Sequence, residues 1–117
     1  MTTITFFKKN GVYYGFKETG HSGFAEEGND IVCSALSAMT MLIINAIEVS
    51  YASNVDYKID EKTTDITVMA KAALPEEESD EKKQYAVSGL FYAYYLQLCD
   101  LLEDYYDFID VKEVELD

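Results

Sequence analysis

His21 is the single histidine of the chain and Cys33 is one of its two cysteines, and they stand twelve residues apart in the run GHSGFAEEGNDIVCSA, residues 20 to 35. A deprotonated sulfur is a strong nucleophile. An imidazole can take the thiol proton and later return it to a leaving amine. Asp30 is a good helix N-cap, and the apolar run after it places Cys33 at the third position of a helix. Backbone N–H groups there lack partners and the helix dipole is positive, so a thiolate is favoured. The same N–H groups can face a developing oxyanion. The intervening loop is long enough to fold His21 back onto the sulfur. The chemistry that these residues point to is acyl transfer by a Cys-His pair.

Each residue also has a plainer reading. Free cysteine is among the most buried residue types, so Cys33 also fits an inert core position, and His21 fits an ordinary loop position. Asp30 either caps the helix by accepting the N–H of Val32 or Cys33, or orients His21 as a third member. Ser37 lies one turn beyond Cys33 on the same face. Its hydroxyl either bonds near the thiol or the Asp30 carboxylate, or turns back to the Cys33 carbonyl. A metal site would need His21, Cys33 and one of Glu26, Glu27 or Asp30, without any C-x-x-C or H-x-x-x-H spacing. No metal or cofactor is expected. Cys99, among Leu98, Leu101 and Leu102, reads as core.

The elements that must position this pair follow from hydrophobic period. TITFFKK and VYYGFKE alternate on either side of Asn10-Gly11, which is a strong hairpin signal. Residues 19 to 29 read as loop, loosened by Gly20, Gly23 and Gly28. A helix is expected from about Ile31 to about Ser50. Its first seventeen residues, Ile31 to Ile47, carry no charge, so it should be covered on more than one side. That run is short of a membrane span and is flanked by Asp30 and Glu48 rather than lysines, so a buried core helix is expected and no membrane. NVDYKID and TDITVMAKA form a second pair of alternating runs. In them Val55, Tyr57 and Ile59 share one face, as do Ile66, Val68 and Ala70, with a polar turn near residues 61 to 64. Pro75 ends that unit. A second helix runs from about Asp80 to about Asp104 with Leu90, Phe91, Tyr94 and Leu98 on its apolar face, and FIDVKEVEL is a final strand. The order ββαββαβ implies an α+β fold, a mixed sheet packed with two long helices, in a single domain over residues 1–117.

Composition narrows the partners. Nine lysines stand against twenty-two acids, for a formal charge of −13. A nucleic-acid binder would show a basic stripe, so no nucleic acid is expected. The acidity serves solubility or a cationic partner. The two cysteines are expected to be reduced thiols of a cytoplasmic protein, and the N-terminal run reads as a strand rather than a secretory signal. The surplus of apolar surface on the first helix suggests a homodimer, with the aromatic second helix as the expected interface.

The central run is more specific than its chemistry. Gly20-His21, Gly23, Gly28-x-Asp30-Ile31, Cys33 and Ser37 together resemble the signature of the ribosomal-processing cysteine proteases, the Prp family. The likeness is dense over about twenty residues and extends more weakly to the Asn-Gly hairpin and the element order. Ser22 departs from it conservatively, where many relatives have a small apolar residue. The resemblance implies a dimeric bacterial cytosolic endopeptidase that removes an N-terminal extension from ribosomal protein 27 of the large subunit. It implies Cys33 as nucleophile and His21 as general base, with Asp30, Ser37, Gly20 and Gly23 in supporting roles. It also implies a mobile loop containing Glu26, Glu27 and Gly28 that moves aside for substrate. The alternative function is a non-catalytic factor of the same fold that binds ribosomal proteins.

Overall fold

Asn10 and Gly11 take φ values of 51° and 77°. A two-residue hairpin turn demands such positive angles, and here the turn joins β1 (Thr2–Lys9) to β2 (Val12–Thr19). The computed structural model describes residues 1–20 and 29–116. α1 (Asn29–Asn45) runs on into a wider π-helical turn over Ala46–Ser50. β3 (Asp56–Ile59) and β4 (Ile66–Met69) form the second hairpin. Its turn is tied by the Asp60 carboxylate, which accepts the N–H groups of Lys62 and Thr63. A 3-10 turn over Lys71–Ala73 precedes Pro75. α2 (Glu81–Tyr105) starts at Asp80, whose side chain accepts the Lys82 N–H at 2.9 Å, and β5 (Ile109–Leu116) is the last element.

This is the expected ββαββαβ order, and the sheet is mixed. Its strands lie in the order β3-β4-β2-β1-β5. β5 runs parallel to β1 and every other pair is antiparallel. α2 supplies the long crossover that a parallel neighbour requires.

Register sorts the side chains into two faces. One face carries Ile4 of β1, Phe16 and Glu18 of β2, and Val68 of β4, all fully buried. Both helices lie on it. Phe16 meets Tyr94 of α2 at 5.0 Å and Phe91 at 5.9 Å between ring centroids, and Phe6 meets Tyr94 at 5.6 Å. These are edge-on contacts, in which the positive rim of one ring faces the negative face of another. The opposite face bears the row Lys58–Thr67–Lys17–Thr5–Lys112, which crosses all five strands. Such residues suit a face left to water.

Two expectations change. α1 begins at Asn29 rather than after a cap at Asp30, so Asp30 lies in the first turn. Cys33 is then its fifth residue, where helical geometry brings the N–H back to the Asn29 carbonyl. α1 is also not covered on more than one side within one chain. Val32, Leu36, Ile43 and Ile47 are buried, but Ile31, Met41, Leu42 and Val49 are exposed. The run Ile31–Ser50, with a mean hydropathy of 1.8, is 33% buried. Both helices share one face of the sheet, so the outer side of α1 has no layer above it. Tyr57 and Ile59 pair with Val68 and Ile66, yet remain about half exposed, because β3 is the sheet edge.

Candidate active site

The site begins where β2 ends. Gly20 follows Thr19 with φ +82°, and a Cβ there would lie 2.5 Å from the Met1 carbonyl oxygen. Only glycine satisfies both conditions, the left-handed backbone and the close approach. His21, Gly23, Glu26, Glu27 and Gly28 lie outside the described residues, as does the side chain of Asp30. The structure resumes with α1, which presents Cys33 one turn from its start.

Cys33 is half-buried and not in a disulfide. It is not the fully buried residue of the plainer reading, and a half-buried thiol retains a path to solvent. Ser37 is exposed one turn beyond it. Cys99, expected in the core, is half-buried on α2. The Tyr95 phenol is held protonated, its pKa pushed up to about 12, by interaction with Cys99 first and by burial next. Among the described residues, no group of three His, Cys, Asp or Glu side chains is placed to hold a metal ion.

Sequence reasoning missed a buried polar group between β2 and the two helices. Glu18, three residues before His21, is fully buried. Its Oε1 accepts from the Tyr94 hydroxyl of α2 at 2.6 Å and from Thr40 Oγ1 of α1 at 3.0 Å. Burial raises the pKa of Glu18, and these two donors offset part of the rise. The Tyr94 phenol is itself raised, by burial first and then by Glu18. The one available signal was the period of β2, since Glu18 lies two residues from inward-facing Phe16.

The family model for the cysteine protease Prp matches residues 1–110. The chain belongs to the Prp cysteine protease family. The crystal structure of SMU.848 from Streptococcus mutans is 31% identical, with a TM-score of 0.79 over 99% of each chain. Two crystal structures of Prp from Staphylococcus aureus, described as an essential ribosomal processing protease, share the fold. The one with a substrate peptide is 18% identical with a TM-score of 0.78, and the one with a covalently linked product peptide is 20% identical with a TM-score of 0.76. Each covers 97% of this chain and 100% of its own. A search of curated proteins returns no match. Membership in the Prp family makes the protein a cysteine protease. Of its two cysteines, Cys33 is the one near a helix start, and Cys99 sits deep within α2.

Proposed function

We propose that this Prp-family protease is an endopeptidase with Cys33 as nucleophile and His21 as general base and acid. Its proposed substrate is the N-terminal extension of ribosomal protein 27 of the large subunit. The observation that carries the reading is Cys33 itself, a half-buried thiol one turn inside the first helix of a cysteine protease. Chain order supports the base. His21 follows directly on Gly20, and the strand before it touches the helix of Cys33 through Glu18 and Thr40.

The chemistry balances with these two groups. His21 takes the thiol proton. The thiolate forms a C–S bond to the scissile carbonyl carbon, and the C=O π pair moves to oxygen. The N–H groups of the first turn of α1 are donors for that charge. As the oxyanion collapses the C–N bond breaks, and His21 delivers its proton to the leaving amine. Water, losing a proton to His21, then cleaves the thioester and Cys33 is restored. Asp30, Ser37, Gly20 and Gly23 act in support. The segment with Glu26, Glu27 and Gly28 is the part that yields to substrate.

The net charge of −13 suits a substrate drawn from a basic ribosomal protein, through faster encounter more than tighter binding. The reading includes a cytoplasmic location, where thiols stay reduced. It also includes a homodimer. The exposed outer side of α1, with Met41 and Leu42, now favours that helix over α2 as the interface.

The test is cleavage of a peptide spanning the extension junction, followed by mass spectrometry. Cleavage lost in both Cys33→Ala and His21→Ala is the expected result. Turnover that survives either substitution unchanged would sink the proposal. Binding of the precursor without cleavage would mark the non-catalytic alternative.

A further inference from the structure

Glu18 is a carboxyl group inside the core that the reaction does not use. It is 0% exposed. A buried acid without polar partners costs several kcal/mol, so natural cores rarely keep one that does nothing. Here one oxygen, Oε1, receives two donors from two different helices: Thr40 Oγ1 of α1 and the Tyr94 hydroxyl of α2. The three residues thus join β2, α1 and α2 at one point. In sequence, Glu18 lies three residues before His21, and Thr40 lies seven residues after Cys33 along α1. Seven residues are two helical turns, so Thr40 and Cys33 lie on the same side of α1.

We propose that Glu18 is a positioning residue. Its buried carboxyl group, through Thr40 and Tyr94, fixes the helix of the nucleophile against the strand that leads to the base. The inference rests on the Cys33–His21 reading above. The apolar contacts of α1 alone are non-directional and tolerate sliding, whereas a hydroxyl–carboxyl bond sets distance and angle. A shift of about 1 Å between reacting groups can cost about a hundredfold in rate, so such a pin matters to chemistry some distance from it.

The protonation state of Glu18 enters the pin. Among the described residues, the hydroxyls of Thr40 from α1 and Tyr94 from α2 reach its carboxyl, and Ile4 of β1 and Ile66 of β4 are its neighbours across the strands. Tyr94 is the titratable one of these, and its raised phenol stays protonated. No lysine among the described residues contributes to the shift of Glu18, which burial drives upward. Burial disfavours the charged form of Glu18, and the Tyr94 and Thr40 hydroxyls offset part of that cost.

The experiment compares Glu18→Gln, Glu18→Leu, Thr40→Val and Tyr94→Phe in the full chain. Each is first shown to be folded by thermal melting. The readouts are kcat and KM on the junction peptide across pH, and the iodoacetamide alkylation rate of Cys33. Thr40→Val and Tyr94→Phe are expected to lower kcat about tenfold each with KM within about twofold, and to combine to less than the product. Glu18→Gln keeps an acceptor oxygen and should hold kcat within about twofold. A folded Glu18→Leu or Thr40→Val with wild-type kcat and alkylation rate overturns the proposal, and so does a Glu18→Gln as impaired as Glu18→Leu. If Cys33→Ala cleaves like wild type, it is the Cys33–His21 reading that fails. Cys33 alkylation then still decides the positioning role, which requires a rate changed at least about threefold in Thr40→Val.

Discussion

The Tyr94 hydroxyl donates to Glu18 Oε1 across 2.6 Å, joining α2 to β2 between residues 76 apart in sequence. The acid that accepts this bond is buried, and burial raises its pKa from the ordinary 4.5. A raised folded-state pKa means that the native state holds the proton more tightly than the unfolded chain does. The contribution of Glu18 to stability is therefore complete below the unfolded pKa and is lost as pH rises through the folded one. Glu18→Gln removes that loss. Its melting temperature relative to wild type should climb as pH rises above the ordinary carboxyl value. The difference between the two proteins isolates Glu18 from Asp60, Glu76 and Glu113, whose lowered values act in the opposite sense. A constant difference across the range refutes the assignment.

Gly11 and Gly20 both have positive φ, but only Gly20 has a backbone atom where a Cβ would go. Gly11→Ala should cost about 1 kcal/mol, the conformational term alone. Gly20→Ala should cost distinctly more, since Met1 must move as well. Urea unfolding of the two variants measures this, and equal costs would show that the Met1 contact carries no energy.

Phe16 is fully buried and touches the rings of Phe6, Phe91 and Tyr94. Phe16→Ala is expected to cost about 3–5 kcal/mol, as large core truncations do. Tyr85 is 83% exposed, and Tyr85→Ala should stay within about 0.5 kcal/mol of wild type. Chemical denaturation reads both, and a small loss at Phe16 would contradict the packing described.

Leu42 is 64% exposed on α1, with Met41 beside it at 48%. If this side forms the dimer, Leu42→Lys should weaken association by about a hundredfold or more, by burying a charge without a partner. Sedimentation of wild type and variant over a concentration series tests it. A Leu42→Lys dimer as stable as wild type moves the interface elsewhere.

Cys33 and Cys99 differ in place along their helices, which yields a reactivity prediction. In a Cys99→Ala background, Cys33 should alkylate with a pH midpoint below the ordinary thiol value of about 8.5. A midpoint at or above that value would remove the helix-start argument.

The local physics of the chain was legible in its sequence. Asn10-Gly11 is a turn because few other pairs tolerate two positive φ angles. The two hairpins, the two helices and the last strand follow from periods of two and 3.6, and the helix expected from about Asp80 starts one residue later, at Glu81. Cys33 near a helix start is a matter of spacing along one segment. What tertiary structure decided depends on which segments meet. It set β5 beside β1 rather than at the far edge by β3, a choice made by where α2 crosses the sheet. It put both helices on one face, so apolar Met41 and Leu42 are uncovered in spite of a composition that suggests burial. It also made Glu18, a charged residue on the inward face of β2, a buried acceptor. The sequence shows that Glu18 shares the face of Phe16. Only the fold brings Thr40 and Tyr94 to it, from 22 and 76 residues away, and those donors are what make a carboxyl group tolerable in the core.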